Sequence, residues 1–148
     1  MAFTNLDNFN ADLREFSNTL ETEELNLFMR RLGLSLLRRV VLRTPVGNPD
    51  LWKSPPPKGY VGGRARGNWQ VAINGQTNEE ETGQRDRNGG PTIGDGAAMI
   101  DGATGADVSS IHIFNNVPYI VPLEEGHSTQ APHGMLGLSI LELREEFP

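Results

Sequence analysis

Two histidines and two glutamates near the C-terminus offer the donor atoms that a metal ion needs. All four fall within ten positions: Glu124, Glu125, His127 and His133. A zinc site built from one segment usually holds two histidines one turn apart on a helix. Pro132 lies between these two histidines and forbids a continuous helix. We therefore expect ordinary loop histidines and no metal ligands.

A glycine-rich basic segment, residues 60–67, has the composition of a phosphate-binding loop. Such a loop follows a strand and opens a helix, whereas this segment follows a proline-rich loop and precedes a predicted strand. The favoured interpretation is a flexible basic loop. Its arginines Arg64 and Arg66, together with Lys58, remain candidates for contact with a nucleic-acid backbone that reads no sequence.

Catalysis finds little support in the residue pattern. No serine lies in a nucleophile-elbow motif, and the chain has no cysteine to act as a nucleophile. Glu124 and Glu125 cannot oppose each other across a substrate, because sequence neighbours point in different directions. A hydrolase with His127 or His133 as its base is the least supported function. We predict a protein that is not an enzyme, with no catalytic residues and no cofactor.

Length and composition predict one soluble domain. The chain has 148 residues and no cysteine, which suits a reducing compartment, and no apolar run long enough to span a membrane. Residues 28–68 carry nine basic residues against one acid, so this segment is +8 and the rest is −14 in a chain of net charge −6. A basic segment in an acidic protein indicates either a nucleic-acid patch or a surface that meets an acidic part of another copy.

Apolar spacing predicts two helices in the first third of the chain. In residues 1–21 an apolar residue recurs every three or four positions, as on one face of a helix. The second helix occupies residues 22–44, with Thr22 as its N-cap, acidic residues in its first turn and Pro45 after its end. Its core face contains five residues: Leu25, Met29, Leu32, Leu36 and Val40.

The second helix carries a further apolar line on its opposite side. Leu27, Leu34 and Val41 repeat every seven residues among Arg30 and Arg38. Two interpretations stand side by side: the sheet and the first helix cover both faces, or another subunit buries this line. The second makes these five residues the hypothetical subunit interface.

The rest of the chain predicts a small sheet between long loops. Residues 45–67 form a basic Pro/Gly loop, and strands occupy 68–74 and 108–115. Between the strands, residues 75–107 form an acidic, glycine-rich insertion with little to bury, which we expect to be mobile or ordered by a partner. Residues 118–147 hold a turn and a C-terminal helix from about 135 to 146, for which a strand is the alternative. The predicted fold class is α+β, a few-stranded, mostly antiparallel sheet against one long helix.

The order of several short motifs is the most informative feature. The long helix ends in Val40-Val41-Leu42-Arg43-Thr44-Pro45-Val46-Gly47, and Gly63-Arg64-Ala65-Arg66-Gly67-Asn68-Trp69 leads into a strand. Asn115-Asn116-Val117-Pro118-Tyr119 closes the next strand, before Leu123-Glu124-Glu125-Gly126-His127, Ala131-Pro132 and Gly134-Met135. This order resembles the head–tail joining, or tail completion, proteins of tailed bacteriophages (tail terminator and neck proteins). The residues that match the family motif are Pro45, Trp69, Asn115, Pro118, Tyr119, Glu124, Gly126 and Pro132.

The resemblance implies a structural virion protein. Such proteins form a ring, usually a hexamer, at the head-proximal end of the tail, end the tail tube and join it to the head connector. The implied partners are further copies, the tube protein, connector or neck proteins and DNA in transit through the bore. The implied location is the virion, after assembly in the host cytoplasm.

Within that function the loop charges acquire hypothetical roles. Lys58, Arg64 and Arg66, with the acidic Glu79, Glu80 and Glu81, become loops that face the tube, the connector or DNA. The three glutamates either line the bore and repel DNA or belong to a tentacle that orders against a partner. Trp69 and Tyr119 are expected as core and corner residues, and Glu124 as a helix-end charge. The alternative function is a nucleic-acid-binding accessory protein that uses the basic loop.

Overall fold

The computed structural model describes residues 4–18, 21–81, 83–105 and 107–147. Within these ranges the fold is α+β, with six α-helices and one two-stranded antiparallel sheet, as the sequence predicts at this level. In chain order the elements are α1 (Thr4–Ser17), α2 (Thr22–Arg43), α3 (Arg64–Gly67), β1 (Trp69–Ile73), α4 (Gly90–Asp101), β2 (Ile111–Asn115), α5 (Ile120–Glu124) and α6 (Leu136–Glu146). A 3-10 turn at Pro49–Leu51 interrupts the loop after α2.

Helix α2 begins and ends where its local sequence dictates. Glu23 and Glu24 lie in the first turn, where the helix dipole favours negative charge. The predicted N-cap Thr22 is instead the first helical residue, and the capping position falls on Glu21, whose backbone is extended and whose side chain makes no capping bond. Thr44 ends the helix in an extended conformation, as expected for a residue before a proline.

The two strands pair antiparallel across a long connection. Trp69 lies opposite Asn115 and Ile73 opposite Ile111. Val71, Ile111 and Ile113 pack against the main core, which contains Leu37, Val40 and Val41 of α2. Both strands fall inside their predicted ranges, and no two-residue hairpin joins them.

Helix α4 corrects the expectation for residues 75–107. Its Ile93 and Ile100 pack into the main core, and Ile100 is only 1% exposed. Gly96 lies between them on the same face, directly against Leu37 and Val71, where a side chain would collide. Few large residues are needed because Gly96 lets the helix approach α2 and β1 closely. This part of the insertion is therefore ordered by the chain itself.

A second core joins the two ends of the chain. Phe9 of α1, Leu32 of α2 and Ile140 and Leu143 of α6 are buried together. The C-terminal segment is thus the predicted helix and not the alternative strand. Arg39 and Arg43 of α2 also form ion pairs with Glu142 and Glu146 of α6. None of the helices in the described ranges is long and apolar enough to cross a membrane.

Candidate functional site

Thr44 joins the end of α2 to the start of β1. Its hydroxyl donates to the Val40 carbonyl at 2.6 Å and accepts the indole N–H of Trp69, also at 2.6 Å. Thr44 is fully buried and Trp69 is 8% exposed, so water does not compete for either bond. The expectation that Trp69 is a core residue is confirmed.

Arg66, predicted to face a partner or DNA, binds backbone carbonyls of its own chain. Its guanidinium donates to the Thr44 carbonyl through Nε (3.0 Å) and Nη2 (2.8 Å) and to the Arg87 carbonyl through Nη1 (2.5 Å). Burial lowers the pKa of Arg66, while the charge of Asp86 acts in the opposite direction. Arg66 therefore fastens the α2 terminus to the segment before α4.

Arg64 is likewise paired within the chain. Its Nε and Nη2 contact the two carboxylate oxygens of Glu80 at 2.5 and 2.7 Å, and its guanidinium lies 5.5 Å from the ring centroid of Tyr119. The hydrogen bond from Arg64 is the main cause that lowers the pKa of Glu80. The paired geometry orients both side chains.

Glu79, Glu80 and Glu81, which were predicted to line the bore or to form a tentacle, belong to a segment that other parts of the chain hold in place. Asn68, which is fully buried, accepts the Glu81 backbone N–H at 2.7 Å, and the Glu79 carbonyl accepts from the Gln70 and Asn116 amides. Residues 79–81 are thus fastened to β1 and to the turn after β2. The tentacle expectation is wrong for this segment, because the chain's own amides hold it. The Glu79 and Glu81 side chains remain exposed.

Asp86 organises the start of α4, and sequence reasoning missed it. One carboxylate oxygen accepts the backbone N–H groups of Asn88 and Gly89, and the other accepts the N–H and hydroxyl of Thr92. Burial raises the pKa of Asp86, but the bonds from Thr92, Gly89 and Asn88 outweigh it, so the pKa lies below its ordinary value. Gly63 has a φ of +101°, and a Cβ there would lie 2.6 Å from the Asp86 backbone. Asp86 lies three residues before the capping position Gly89, so no capping pattern in the sequence identifies it.

Two further motif residues, Asn115 and Glu124, connect neighbouring segments. Asn115 donates to the Ala65 carbonyl at 2.8 Å and accepts from Val117. The Glu124 carboxylate accepts the backbone N–H groups at the start of α6, from Met135 (2.9 Å), Leu136 (2.7 Å) and Gly137 (3.1 Å). Glu124 is the last residue of α5, as expected of a helix-end charge, whereas its contact with the start of α6 was not predicted.

Gly126 lies in the loop between α5 and α6, just after Glu124, and its backbone conformation determines the path of that loop. Its φ is +87°, in the left-handed region, and a Cβ there would collide with the Pro132 carbonyl. Pro132 and the two loop histidines His127 and His133 are exposed. Among the described residues no three His, Cys, Asp or Glu side chains are grouped to hold a metal.

A half-open cleft of about 740 Å³ lies beside this network. Aromatic side chains and cations line it, together with Pro45 and Leu123: Trp52, Tyr60, Tyr119, Lys58, Arg64 and Arg85. The rings of Trp52 and Tyr60 meet edge to face at 4.9 Å, yet these residues expose 41% and 37% of their surface. Burial raises the pKa of Tyr119. Pro118, the neighbour of Tyr119, is exposed.

Sequence reasoning missed the two loop aromatics. Trp52 and Tyr60 stand in the Pro/Gly loop without any periodic pattern that would bury them in a helix or strand. An aromatic residue in such a loop was the available signal for a contact surface.

The hypothetical interface line on α2 requires correction. Val41 is fully buried in the main core, and Leu34 is half-buried against it, so the chain itself covers this end of the line. Arg30 is half-buried and donates to the Asn26 carbonyl, whereas Arg38 is exposed. Leu27, near the N-terminal end, is 42% exposed.

One hydrogen-bonded chain has the outline of a catalytic triad. Ser110 Oγ lies 2.9 Å from His112 Nε2, and His112 Nδ1 lies 3.1 Å from Gln76 Oε1. Gln76 is neutral and cannot stabilise an imidazolium as a carboxylate does. The described cleft is lined by neither Ser110 nor His112. This arrangement supports a local structural role beside the sheet.

Comparison of the chain with protein-family models, with curated proteins and with solved structures finds no match.

Proposed function

We propose that this chain is a structural virion protein of the head–tail joining class. Copies form a ring at the head-proximal end of the phage tail, terminate the tail tube and join it to the head connector, and DNA passes through the bore. The proposal includes the finer architecture of that class, a small sheet packed against one long helix between long Gly/Pro-rich loops. Its partners are the tail tube protein and the connector or neck proteins.

The observation that carries the proposal is the convergence of the motif residues. Thr44 and Trp69 share a buried hydrogen bond, Asn115 binds the carbonyl of Ala65, and Glu124 caps α6. Segments that are distant in sequence thus form one connected framework beside an open aromatic cleft. These side-chain bonds hold the loops around an exposed contact surface in place, which supports a role in assembly.

The engaged arginines disfavour the nucleic-acid alternative. That function needs free cations in the basic loop, because phosphate neutralisation supplies most non-specific affinity. Arg64 is paired with Glu80, and Arg66 binds carbonyls. Of the three predicted cations, Lys58 alone has no carboxylate or carbonyl partner among the described residues. The basic loop then offers its two exposed lysines, Lys53 and Lys58, for phosphate contact, which is fewer cations than its composition suggests.

Electron microscopy of tail tubes tests the function. Tube protein encoded by the same genome is polymerised with and without the chain, and tube ends and lengths are scored. We expect a ring at one end of each tube and no further elongation at that end. Bare ends and unrestrained growth, together with a shift of short DNA that falls steeply with salt, would instead support the accessory protein.

A further inference from the structure

The cleft has a distinctive surface chemistry. Three cations line it, Lys58, Arg64 and Arg85, and none of its lining residues in the described part of the chain is a carboxylate. Glu80 outside the lining pairs with Arg64. Arg85 donates to the Gln84 carbonyl at 3.0 Å but forms no ion pair among the described residues, so Arg85 and Lys58 supply the unneutralised positive charge. Exposed apolar surface comes from Trp52, Tyr60 and Val61, the last of which is 53% exposed. The cleft therefore suits an acidic segment that also carries an apolar side chain.

The N-terminal end of α2 has the opposite chemistry. Glu21, Glu23 and Glu24 are exposed, and no Lys or Arg of the described residues forms an ion pair with them. Leu27 lies one turn further along and is 42% exposed. We call these four residues the acidic tip.

The acidic tip cannot reach the cleft of its own chain. Helix α2 has 22 residues, which at 1.5 Å per residue is roughly 33 Å. The tip lies at its first turns, whereas Pro45 and Gly47 of the cleft follow its last residue. Two complementary patches at opposite ends of a rigid helix are arranged for a head-to-tail contact, which closes as a ring when the rotation allows.

We propose that the cleft binds the acidic tip of a second copy of this chain. Glu23 and Glu24 of one copy lie against Lys58 and Arg85 of the next, and Leu27 contacts the exposed aromatic rings. Complementary charge orients the copies, and the apolar contact excludes water. This inference rests on the proposed ring and identifies the contact between neighbouring copies, the cleft against the acidic tip, which we call the seam.

Engineered cysteines test the seam, because the chain has none of its own. A variant with Glu24→Cys and Lys58→Cys is treated with a short thiol crosslinker. We expect a ladder of covalent oligomers, and only dimers when the two single variants are mixed. The matched control carries Asp95→Cys, on the exposed side of α4, with Lys58→Cys, and is expected to give no ladder. Equal ladders in both double variants, or no ladder in either, would overturn the proposal.

Charge reversal provides an independent readout. Glu23→Lys with Glu24→Lys, and Lys58→Glu with Arg85→Glu, should each weaken self-association measured by sedimentation by about tenfold or more. An equimolar mixture of the two variants should recover association, since each reversed surface then meets its complement. Asp95→Lys with Asp101→Lys makes the same charge change on α4 and should leave association unchanged.

Two outcomes separate the seam from the proposed function. Rings that cap tubes without any tip-to-cleft crosslink would remove the seam and keep the function, whereas a ladder without capping would do the reverse. If reversal at Lys58 and Arg85 abolishes binding to short DNA and leaves association unchanged, the cleft belongs to nucleic acid and the proposal fails.

Discussion

At the scale of single residues, hydroxyl, amide and carboxylate groups join segments that the hydrophobic core alone would not align. Thr44 binds Trp69, Asn68 binds the backbone of Glu81, and Asp86 binds the first turn of α4. Each of these three side chains is almost entirely buried. A buried polar group without a partner costs free energy, so these bonds select one arrangement of the loops.

Replacement of Thr44 by Val tests the first of these bonds. The variant keeps the shape but removes the oxygen that accepts the Trp69 indole N–H. We expect a loss of about 1–3 kcal/mol in the free energy of unfolding, measured with chemical denaturant, because the N–H stays buried without an acceptor. Trp69→Phe, alone and combined with Thr44→Val, completes a double-mutant cycle. A coupling energy near zero would show that the bond contributes nothing.

The lowered pKa of Asp86 predicts how the free energy of unfolding depends on pH. Its pKa in the folded chain lies below the ordinary value of about 3.9. The unfolded chain therefore takes up the proton first as pH falls, and the stabilisation by the ionised carboxylate is lost through the folded pKa. We expect the stability difference between wild type and Asp86→Asn to be full near neutral pH and to shrink below about pH 4. A difference that stays constant down to pH 2 would contradict this.

At the scale of helices and strands, the sequence predicted the elements in which apolar residues recur with a clear period. Both early helices, both strands and the C-terminal helix lie close to their predicted ranges, because apolar spacing and Pro45 mark them. Helix α4 was missed because its contact face is built around Gly96, and a glycine looks like a loop residue in a single sequence. The basic segment was assigned to the surface because composition does not reveal which carbonyls an arginine such as Arg66 will meet.

Two glycines of α4 provide a matched test of its packing. A Cβ on Gly96 would collide with Leu37, whereas nothing lies within 4 Å of one on Gly94. We expect Gly96→Leu to lower the free energy of unfolding by about 1–3 kcal/mol or more through overpacking. Gly94→Leu should raise it by up to about 1 kcal/mol, because leucine is the better helix former. Equal effects of the two substitutions in thermal unfolding would contradict this contact.

Substitution of Glu124 tests whether its carboxylate stabilises the start of α6. Its carboxylate accepts three backbone N–H groups that would otherwise lack partners at the start of α6. We expect Glu124→Ala to cost about 0.5–2 kcal/mol of stability and to speed amide exchange in the first turn of α6. Glu145→Ala, on the exposed side of the same helix, is the control and should change little. Unchanged exchange at Leu136 and Gly137 would refute the capping role.

At the scale of the whole molecule, much of the basic segment is used inside the chain. Arg39 and Arg43 bind Glu142 and Glu146 of α6, and Arg64 binds Glu80. The hydrogen bond from Arg43 is the main cause that lowers the pKa of Glu142. Several cations of the basic segment therefore stabilise the fold through ion pairs within the chain. Arg31, Arg38 and Lys53 stay exposed outside these pairs, and two surfaces of opposite charge lie near the two ends of α2, the cationic cleft and the acidic tip.

We propose that copies of this chain assemble into a ring that caps a tail tube. Native mass spectrometry of the purified protein, alone and after mixing with tubes, tests it most directly. We expect a closed oligomer of fixed copy number in at least one sample. Leu27→Asp at the exposed tip should abolish it, and the monomer should stay folded because this side chain lies outside the cores. A chain that stays monomeric in both samples and binds short DNA instead would contradict the account.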